Sequence, residues 1–217
     1  MSTFNRLVII GTGGHAKSVF SLVSDIGYEV KFFLDETTQA TEFLGIRVAT
    51  QLPEIPDYQD YGYLIAIGDN SLRKAVRDKL MGIIPIESFP TIIHKSAYVG
   101  MGASIGFGTL VFPFSNIGAY SQVDEFCILN TGSILEHDSQ ISAYSALAPG
   151  ATVGGNSQIG SGTWVGLNAS VMQGIKIGDN SIVGAQSFVN KDVGSNVVVF
   201  GTPAKITRTR ASDQKFL

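Results

Sequence analysis

The chain has 217 residues with a net charge of −3; 44% of its residues are hydrophobic and 15% are charged. This composition predicts a packed core and excludes disorder, and the small negative charge gives no reason to expect nucleic-acid binding. No apolar run reaches the roughly 18 residues of a membrane span, and the lone Cys127 cannot form an internal disulfide, so we expect no membrane partner and a cytoplasmic location.

The first ninety residues alternate strand and helix patterns around a glycine-rich turn. We predict strands at Leu7 to Ile10, Val30 to Leu34 and 63–68, with helices over 16–26 and from about residue 70. Gly11, Gly13 and Ala16 fit the spacing G-x-G-x-x-G/A between a strand and a helix. This spacing is typical of a nucleotide-binding βαβαβ domain, although a glycine turn kept only for packing is the alternative.

Several residues near the carboxyl ends of these strands are candidates for substrate binding. Only about ninety residues are present, which is half of a dinucleotide fold, so we favour a nucleotide-linked substrate over NAD. We expect the diphosphate to lie at the helix N-terminus, where backbone N–H groups favour an anion. The candidates are Gly13, Gly14 and His15 for the diphosphate, Asp35 for the ribose or base, and Asn70 and Arg73 beyond the third strand.

A six-residue repeat runs from residue 93 to residue 189. Stepping by six from Ile93 gives seventeen positions, all Ile, Val or Leu, and the next position is Ser195. A small residue usually lies two positions before each aliphatic one, and glycine often follows it. Neither a helical period nor strand alternation produces this pattern, whereas the hexapeptide repeats of a parallel β-helix do.

Such a β-helix has three short faces in each coil, with the aliphatic side chains inside and the small residues at tight corners. The repeat predicts about five coils of 18 residues, with no long inserted loop. We therefore divide the chain into a small α/β nucleotide-sugar-binding domain over residues 1–90 and a β-helix with a C-terminal tail over 91–217.

Four motifs, GTGGHAKSV, ILNTGSILEHD, APGATVGGN and GTPAK, follow one another along these two domains. Together they resemble the bacterial sugar acetyltransferases with hexapeptide repeats, a group of nucleotide-amino-sugar N-acetyltransferases and sialic-acid O-acetyltransferase-like proteins. The resemblance covers nearly the whole chain. It implies a Rossmann-like α/β domain followed by a left-handed parallel β-helix, acetyl-CoA as co-substrate, and a homotrimer with active sites between neighbouring chains. Five aromatic residues expected on the outside are compatible with that trimer: Phe112, Phe114, Tyr120, Phe126 and Trp164.

The resemblance also assigns roles to residues of the LEHD motif. It implies that His137 is the general base and that Asp138 orients it, while Glu136 is the less probable partner of the histidine. Imidazole can take and return a proton at neutral pH, which suits this role. GTPAK is placed beside the adenine end of coenzyme A, with Lys205, and also Arg208 and Arg210, near the 3′-phosphate. The chain departs from the group at Ala146, where many relatives carry a second histidine near the cofactor.

The coil length gives an independent prediction about the cofactor. Residues 18 apart stack at about 4.8 Å, so Gly155 lies one coil above His137 and Lys191 lies about 14 Å away in the same column. We predict that the Gly155 N–H stabilises the thioester oxyanion and that Lys191 meets the phosphates of coenzyme A. Asn130, close to the base in sequence, is a candidate sugar contact.

The predicted function is acetyl-CoA-dependent N-acetylation of the 4-amino group of a nucleotide-linked 4-amino-4,6-dideoxy sugar, with UDP favoured over dTDP and GDP. The runner-up is O-acetylation of a sialic-acid-type sugar. A metal-dependent β-helix hydratase is disfavoured because such a site needs about three histidines, and only His94 and His137 lie in or beside the repeat. A non-catalytic scaffold or nucleotide sensor is the remaining alternative.

Overall fold

The chain forms a five-stranded α/β sheet followed by a three-sided parallel β-helix, and the computed structural model describes residues 4–211 and 214. The first sheet has the order β3-β4-β2-β1-β5, in which β1 pairs in parallel with both β2 and β5. Its elements are β1 Arg6–Ile10, α1 Gly14–Asp25, β2 Glu29–Leu34, β3 Glu42–Phe43, β4 Ile46–Ala49, β5 Gly62–Ile65 and α2 Asn70–Leu80.

The apolar run of β1 explains its central place in this sheet. Leu7, Val8 and Ile9 are fully buried and Ile10 is nearly so, as expected for a parallel strand covered on both faces. The three predicted strands and two helices are confirmed, although the third strand ends at Ile65 and α1 begins two residues before the predicted start. The short β3–β4 hairpin, which adds an edge to the sheet, was not predicted.

The β-helix consists of two-residue strands spaced six residues apart, without an inserted loop, as predicted. These are β6 Ile92–Ile93, β7 Tyr98–Val99, β8 Ser104–Ile105, β9 Leu110–Val111, β10 Asn116–Ile117, β11 Gln122–Val123, β12 Ile128–Leu129, β13 Ile134–Leu135, β14 Gln140–Ile141, β15 Ala146–Leu147, β16 Thr152–Val153, β17 Gln158–Ile159, β18 Trp164–Val165, β19 Ser170–Val171, β20 Lys176–Ile177, β21 Ile182–Val183 and β22 Phe188–Val189.

Each strand from β6 to β19 pairs in parallel with the strand 18 residues further along, which confirms the coil length. The pairing builds three sheets. We call the sheet that contains β6, β9, β12, β15, β18 and β21 face 1, the sheet from β7 to β22 face 2, and the sheet from β8 to β20 face 3. A β-hairpin of β23 Val197–Gly201 and β24 Ala204–Thr209 ends face 1.

The repeated aliphatic residues form the core of the β-helix. From Val111 to Val189 each of them is at most 3% exposed, and each such side chain contributes about 1.5–3 kcal/mol of hydrophobic stabilisation. Ile93 and Val99 are an exception to the prediction, at 38% and 37% exposed, because they lie at the open first end.

The hydroxyl groups of small residues in the repeat form hydrogen bonds with backbone groups at the corners. Ser139 is typical: its hydroxyl donates to the carbonyl of Gly154 at 3.1 Å and accepts from the N–H of Ser157 at 3.1 Å. A buried hydroxyl or N–H without a partner costs about 1–3 kcal/mol, so these bonds tie successive coils together. The corner positions from residue 102 to residue 186, six residues apart, all have positive φ, such as Asp138 at 56° and Tyr120 at 59°.

The first domain packs on the outer side of face 1. Ile92, Leu110, Ile128 and Ala146 share one buried cluster with residues of β1 and α1, and Trp164 packs against it. Of the five aromatic residues expected outside, Phe112 and Phe126 are therefore buried and Trp164 is half-buried, whereas Phe114 and Tyr120 are exposed. No helix in the described part of the chain combines the length and apolarity needed to cross a membrane.

Candidate active site

His137 lies at the corner of the β-helix between faces 2 and 3. This corner is on the side of the β-helix opposite face 1. It follows β13 by two residues, and β13 pairs in register with β10 before it and β16 after it. The same register continues to Val189. The column predicted from the coil length is therefore present, and it contains Ala119, His137, Gly155, Gln173 and Lys191.

A hydrogen bond links the imidazole of His137 to Asp138. The distance from Nδ1 to Asp138 Oδ2 is 2.8 Å, and the two side chains are 62% and 57% exposed. Because a carboxylate only accepts, Nδ1 carries the proton, and in the neutral ring Nε2 keeps a free lone pair. The positive φ of Asp138 turns its carboxylate back towards the preceding residue, and aspartate tolerates this conformation well.

Two glycines make room for His137, one for its backbone and one for its side chain. A Cβ at Gly155 would lie 2.7 Å from His137 Nε2, and a Cβ at Gly118 would collide with the His137 backbone N–H. Gly118 therefore lets the coil that carries His137 stack closely on the one before it. A Cβ at Gly155 would also lie 2.8 Å from Cε1 and 3.2 Å from Cδ2, so the imidazole ring packs against Gly155 and fills the space that a side chain there would need.

The first domain contains a cavity of about 910 Å³ at the carboxyl ends of its strands. Gly13 and Gly14 line it at the N-terminus of α1, where no side chain caps the helix. A Cβ on either glycine would meet no atom within 4 Å. The N–H groups of the first turn of α1 can therefore meet an anion in the cavity, as the sequence predicted for a diphosphate.

Asp35 lines the cavity with a carboxylate that already accepts hydrogen bonds within the chain, and its contact with a ribose or base stays a prediction. Its Oδ2 accepts from the N–H and hydroxyl of Thr12, and its Oδ1 accepts from those of Thr37. Burial would raise the pKa of this carboxyl, but the four hydrogen bonds outweigh it and lower the pKa. Asp35 joins the glycine turn to the loop after β2, an arrangement that needs the unpredicted partners Thr12 and Thr37.

His15 lines the cavity as a neutral side chain. Burial, together with the positive charge of Arg73, lowers its pKa from 6.5 to about 4. Its Nε2 is inaccessible to solvent and has no hydrogen-bond partner among the described residues. His15 therefore brings no positive charge to a diphosphate at neutral pH.

Asn70 and Arg73 hold the two domains together, which corrects their predicted role in substrate binding. The guanidinium of Arg73 donates to the carbonyls of Phe126 at 2.8 Å, Ile67 at 2.9 Å and Tyr144 at 2.8 Å. Arg73 is 1% exposed, and burial lowers its pKa to about 10, so it remains charged at neutral pH. Asn70 donates across the same interface to the carbonyls of 162 and 163.

The remaining candidates lie in several places on the β-helix. Asn130 is at the corner between faces 1 and 2 and donates to the carbonyl of Leu147 at 2.9 Å. Lys191 is exposed at the end of the His137 column, whereas Lys205 is exposed on β24 of face 1. Ala146 is fully buried under the first domain. One chain therefore brings together His137, Asp138, Gly155 and Lys191, and separates Asn130 and Lys205 from them.

The cavity and the histidine are separate in one chain. All residues that line the cavity lie between Ile10 and Ile83, and the first domain covers face 1, opposite the corner of His137. A site that used both would need a second chain. Among residues 4–211 and 214, no cluster of three His, Cys, Asp or Glu side chains is placed to hold a metal ion.

Two family models match the chain. One, described as the PglD N-terminal domain, matches residues 6–80, and the other, described as bacterial transferase hexapeptide (six repeats), matches residues 156–191. Among solved structures, the chain is similar to a histidine-to-alanine mutant of the GDP-perosamine N-acetyl transferase from Caulobacter crescentus, in complex with CoA and GDP-perosamine. The identity is 32% and the TM-score 0.84, over 93% of this chain and 96% of that one.

Curated proteins give two informative matches. The GDP-perosamine N-acetyltransferase of Escherichia coli O157:H7 is 31% identical over 157 residues, which cover 68% of this chain and 69% of that protein. The UDP-N-acetylbacillosamine N-acetyltransferase of Bacillus subtilis (strain 168) is 36% identical over 116 residues, which cover 49% of this chain and 50% of that protein.

The curated matches differ in how much of each relative is covered. The chain spans 50% of the B. subtilis protein and 24% of an uncharacterized protein of Acanthamoeba polyphaga mimivirus, which is 31% identical over the matched part. The matches together establish the predicted fold class, a Rossmann-like α/β domain followed by a left-handed parallel β-helix.

Proposed function

Because the chain belongs to the hexapeptide-repeat sugar acetyltransferases, we propose that it moves the acetyl group of acetyl-CoA to the 4-amino group of a nucleotide-linked 4-amino-4,6-dideoxy sugar. Relatives named for this chemistry act on GDP-linked and UDP-linked amino sugars. UDP is the nucleotide we propose here, and GDP is its competitor.

The observation that carries this proposal is the hydrogen bond between His137 Nδ1 and Asp138 Oδ2 at 2.8 Å. It leaves the lone pair of Nε2 free, while the imidazole ring packs against Gly155. An exposed corner of a β-helix has no structural need for an imidazole held by a carboxylate. General acid–base catalysis does need one, within hydrogen-bond reach of the reacting nitrogen.

The proposed reaction uses His137 as base and then as acid. The sugar nitrogen attacks the thioester carbonyl carbon and forms a C–N bond, while His137 Nε2 takes the proton that the nitrogen loses. The C–S bond then breaks, and the imidazolium returns the proton to the departing thiolate. Asp138 stabilises the imidazolium in between, and the Gly155 N–H is our candidate donor to the oxyanion.

We propose that the nucleotide part of the substrate occupies the cavity of the first domain. The open N-terminus of α1, at Gly13 and Gly14, supplies backbone N–H groups for the diphosphate. Since this cavity lies opposite the corner of His137 in one chain, the amino sugar would reach the histidine of a neighbouring chain. A homotrimer with its sites between chains meets this requirement.

The function is tested with purified protein, acetyl-CoA and matched acceptors. The acceptors are GDP-perosamine, a UDP-linked 4-amino-4,6-dideoxy sugar and a sialic acid, and free thiol and acetylated product are both measured. We expect N-acetylation of the nucleotide-linked amino sugars, faster with UDP, and a loss of about 10²–10⁴-fold in kcat for His137→Asn. Acetylation of the sialic acid alone, or unchanged activity of His137→Asn, would contradict the proposal.

A mixing experiment tests the arrangement between chains. Gly14→Trp is designed to fill the cavity, because a Cβ there meets no atom within 4 Å, and His137→Asn removes the base. Each variant alone should be inactive. Co-refolded mixtures should regain activity if cavity and base come from different chains, and should remain inactive if both come from the same chain.

A further inference from the structure

Glu36 and Lys79 form an ion pair at the opening of the cavity in the first domain. Glu36 belongs to the loop after β2 and Lys79 to the last turn of α2, and both line the cavity. Their side chains are 57% and 63% exposed, so the pair lies where the cavity meets solvent. It therefore joins two walls of the cavity that are 43 residues apart in the sequence.

Lys79 brings the positive charge to the lining of this cavity. Of the described residues that line it, only Asp35, Glu36 and Lys79 are charged at neutral pH, since the pKa of His15 is lowered to about 4. The carboxylate of Asp35 already accepts four hydrogen bonds from the neighbouring loops. Glu36 and Lys79 are therefore the charged groups of the lining that are held only by each other.

Lys79 lies at the far end of the cavity from the N-terminus of α1. The start of α2 is close to that N-terminus, because a Cβ at Gly68 would lie 3.9 Å from the side chain of His15. Lys79 follows Asn70 by nine residues, which is about 13.5 Å along the helix. A nucleotide whose diphosphate meets the first turn of α1 would therefore bring its base, and not its phosphates, to the ion pair.

The cavity walls near this pair are apolar. Val76 precedes Lys79 by three residues and so shares its side of α2, and Leu52 and Pro53 line the cavity from the loop after β4. Aliphatic walls can cover the flat faces of a base, but they offer no hydrogen bond to its polar edge. The ion pair supplies both kinds of group, because a carboxylate only accepts and an ammonium only donates.

We propose that Glu36 and Lys79 recognise the base of the nucleotide-linked sugar, and that they select a base with a ring N–H beside a carbonyl group. Glu36 accepts from the ring N–H, and Lys79 donates to the carbonyl oxygen. Uracil and guanine, the bases of the two nucleotides considered for the substrate, share this edge. Cytosine and adenine have an acceptor nitrogen beside an amino group instead. This inference rests on the proposed function.

The energetics of the pair favour this role. Hydrogen bonds to a charged group are about twice as strong as those between neutral groups, so a mismatched edge is penalised at both positions. An exposed ion pair adds little to the stability of a protein. A base can therefore enter between the two side chains without a large loss from the contact that it replaces.

Lys74 and Asp78 provide a matched control for the pair. They form an exposed ion pair on the same helix, but neither is among the described residues that line this cavity. Lys79→Met and Lys74→Met remove the same charge and keep a long side chain. A double variant, Glu36→Lys with Lys79→Glu, keeps opposite charges on the loop and on α2 but exchanges the acceptor and the donor.

The experiment measures the Kd of UDP, GDP, CDP and ADP for the full chain by calorimetry, without acetyl-CoA. We expect the wild type and Lys74→Met to bind UDP and GDP about tenfold more tightly than CDP and ADP, as the loss of one charge-assisted hydrogen bond predicts. Glu36→Leu, Lys79→Met and the double variant should bind UDP and GDP about tenfold more weakly, with little change for CDP and ADP. Urea denaturation shows whether each variant is folded.

Several outcomes would overturn this base recognition. These are one common Kd for all four diphosphates in the wild type, no binding of any of them, or an equal weakening of all four in Lys79→Met. Unchanged UDP binding by the double variant would show that the pair only joins the loop to α2, and would also overturn it. The expected base preference without acetylation of any amino sugar would leave this inference standing and overturn the proposed function.

Discussion

His137 packs its imidazole ring against Gly155: a Cβ at residue 155 would lie 2.7 Å from Nε2, 2.8 Å from Cε1 and 3.2 Å from Cδ2. The first two distances are shorter than any ordinary contact of a Cβ atom. The absence of a side chain at residue 155 is therefore what gives the imidazole ring its place.

Gly155→Ala should lower kcat about 10²- to 10³-fold, because the methyl group would displace the imidazole ring of His137 and crowd the backbone N–H proposed for the oxyanion. Steady-state kinetics with acetyl-CoA and an amino sugar nucleotide measure this. Gly194→Ala is the control, since a Cβ there meets no atom within 4 Å. Equal kcat in the two variants would show that the packing of His137 against Gly155 is not needed for the reaction.

Asp138→Asn should lower kcat about ten- to hundredfold, while Glu136→Gln should leave it unchanged. The amide can no longer hold the Nδ1–H tautomer or stabilise the imidazolium, but the pair is exposed, so the loss is smaller than in a buried triad. Asparagine keeps the shape of the side chain and tolerates the positive φ at residue 138. A larger effect from Glu136→Gln would reverse the assignment of the two acids.

Lys191→Ala should raise the apparent KM of acetyl-CoA about fivefold and leave the KM of the sugar unchanged, as expected for one exposed charge meeting a phosphate. Lys176→Ala is the matched control, because Lys176 is exposed on face 3 outside the His137 column. The effect of Lys191→Ala should decrease at high salt. A similar rise for both substrates would contradict this role.

Arg73→Lys should lower the free energy of unfolding by about 2–4 kcal/mol, because one ammonium cannot replace the fork of hydrogen bonds to buried carbonyls. Urea denaturation, followed by the fluorescence of the single Trp164 at the domain interface, measures this. The exposed Lys74→Met on the same helix is the control. A raised KM for the sugar with unchanged stability would restore Arg73 to substrate binding.

His15 should make the protein less stable as the pH falls from about 6.5 to about 4. Burial, and then Arg73, hold its folded-state pKa near 4, so the unfolded chain takes up a proton in this range that the folded chain does not. Well above pH 6.5 both states are neutral and the contribution is constant. The expected loss between pH 6.5 and pH 5 is about 1.5 kcal/mol.

The check is the free energy of unfolding of the wild type and His15→Gln at these two pH values. The variant should lack this part of the pH dependence, because glutamine does not titrate. The same pH dependence in both proteins would mean that His15 is not protected from protonation.

Part of the site could be predicted because the length of the coil determines which residues stack on one another. The six-residue period makes a three-sided coil of 18 residues, and this alone places Gly155 and Lys191 in the column of His137. The positive φ at the corner positions from residue 102 to residue 186 was missed, although Gly, Asn and Asp recur there and tolerate it. That signal would have shown that Asp138, and not Glu136, turns back towards the imidazole.

The sequence by itself determined the fold class, the coil length and the column of His137, because local periodicity dictates which residues stack. Only the tertiary structure decided what Asp35, Asn70 and Arg73 do, since their partners lie across loops or in the other domain. It also decided that the cavity and the histidine are on opposite sides of one chain, because this follows from which face of the β-helix the first domain covers.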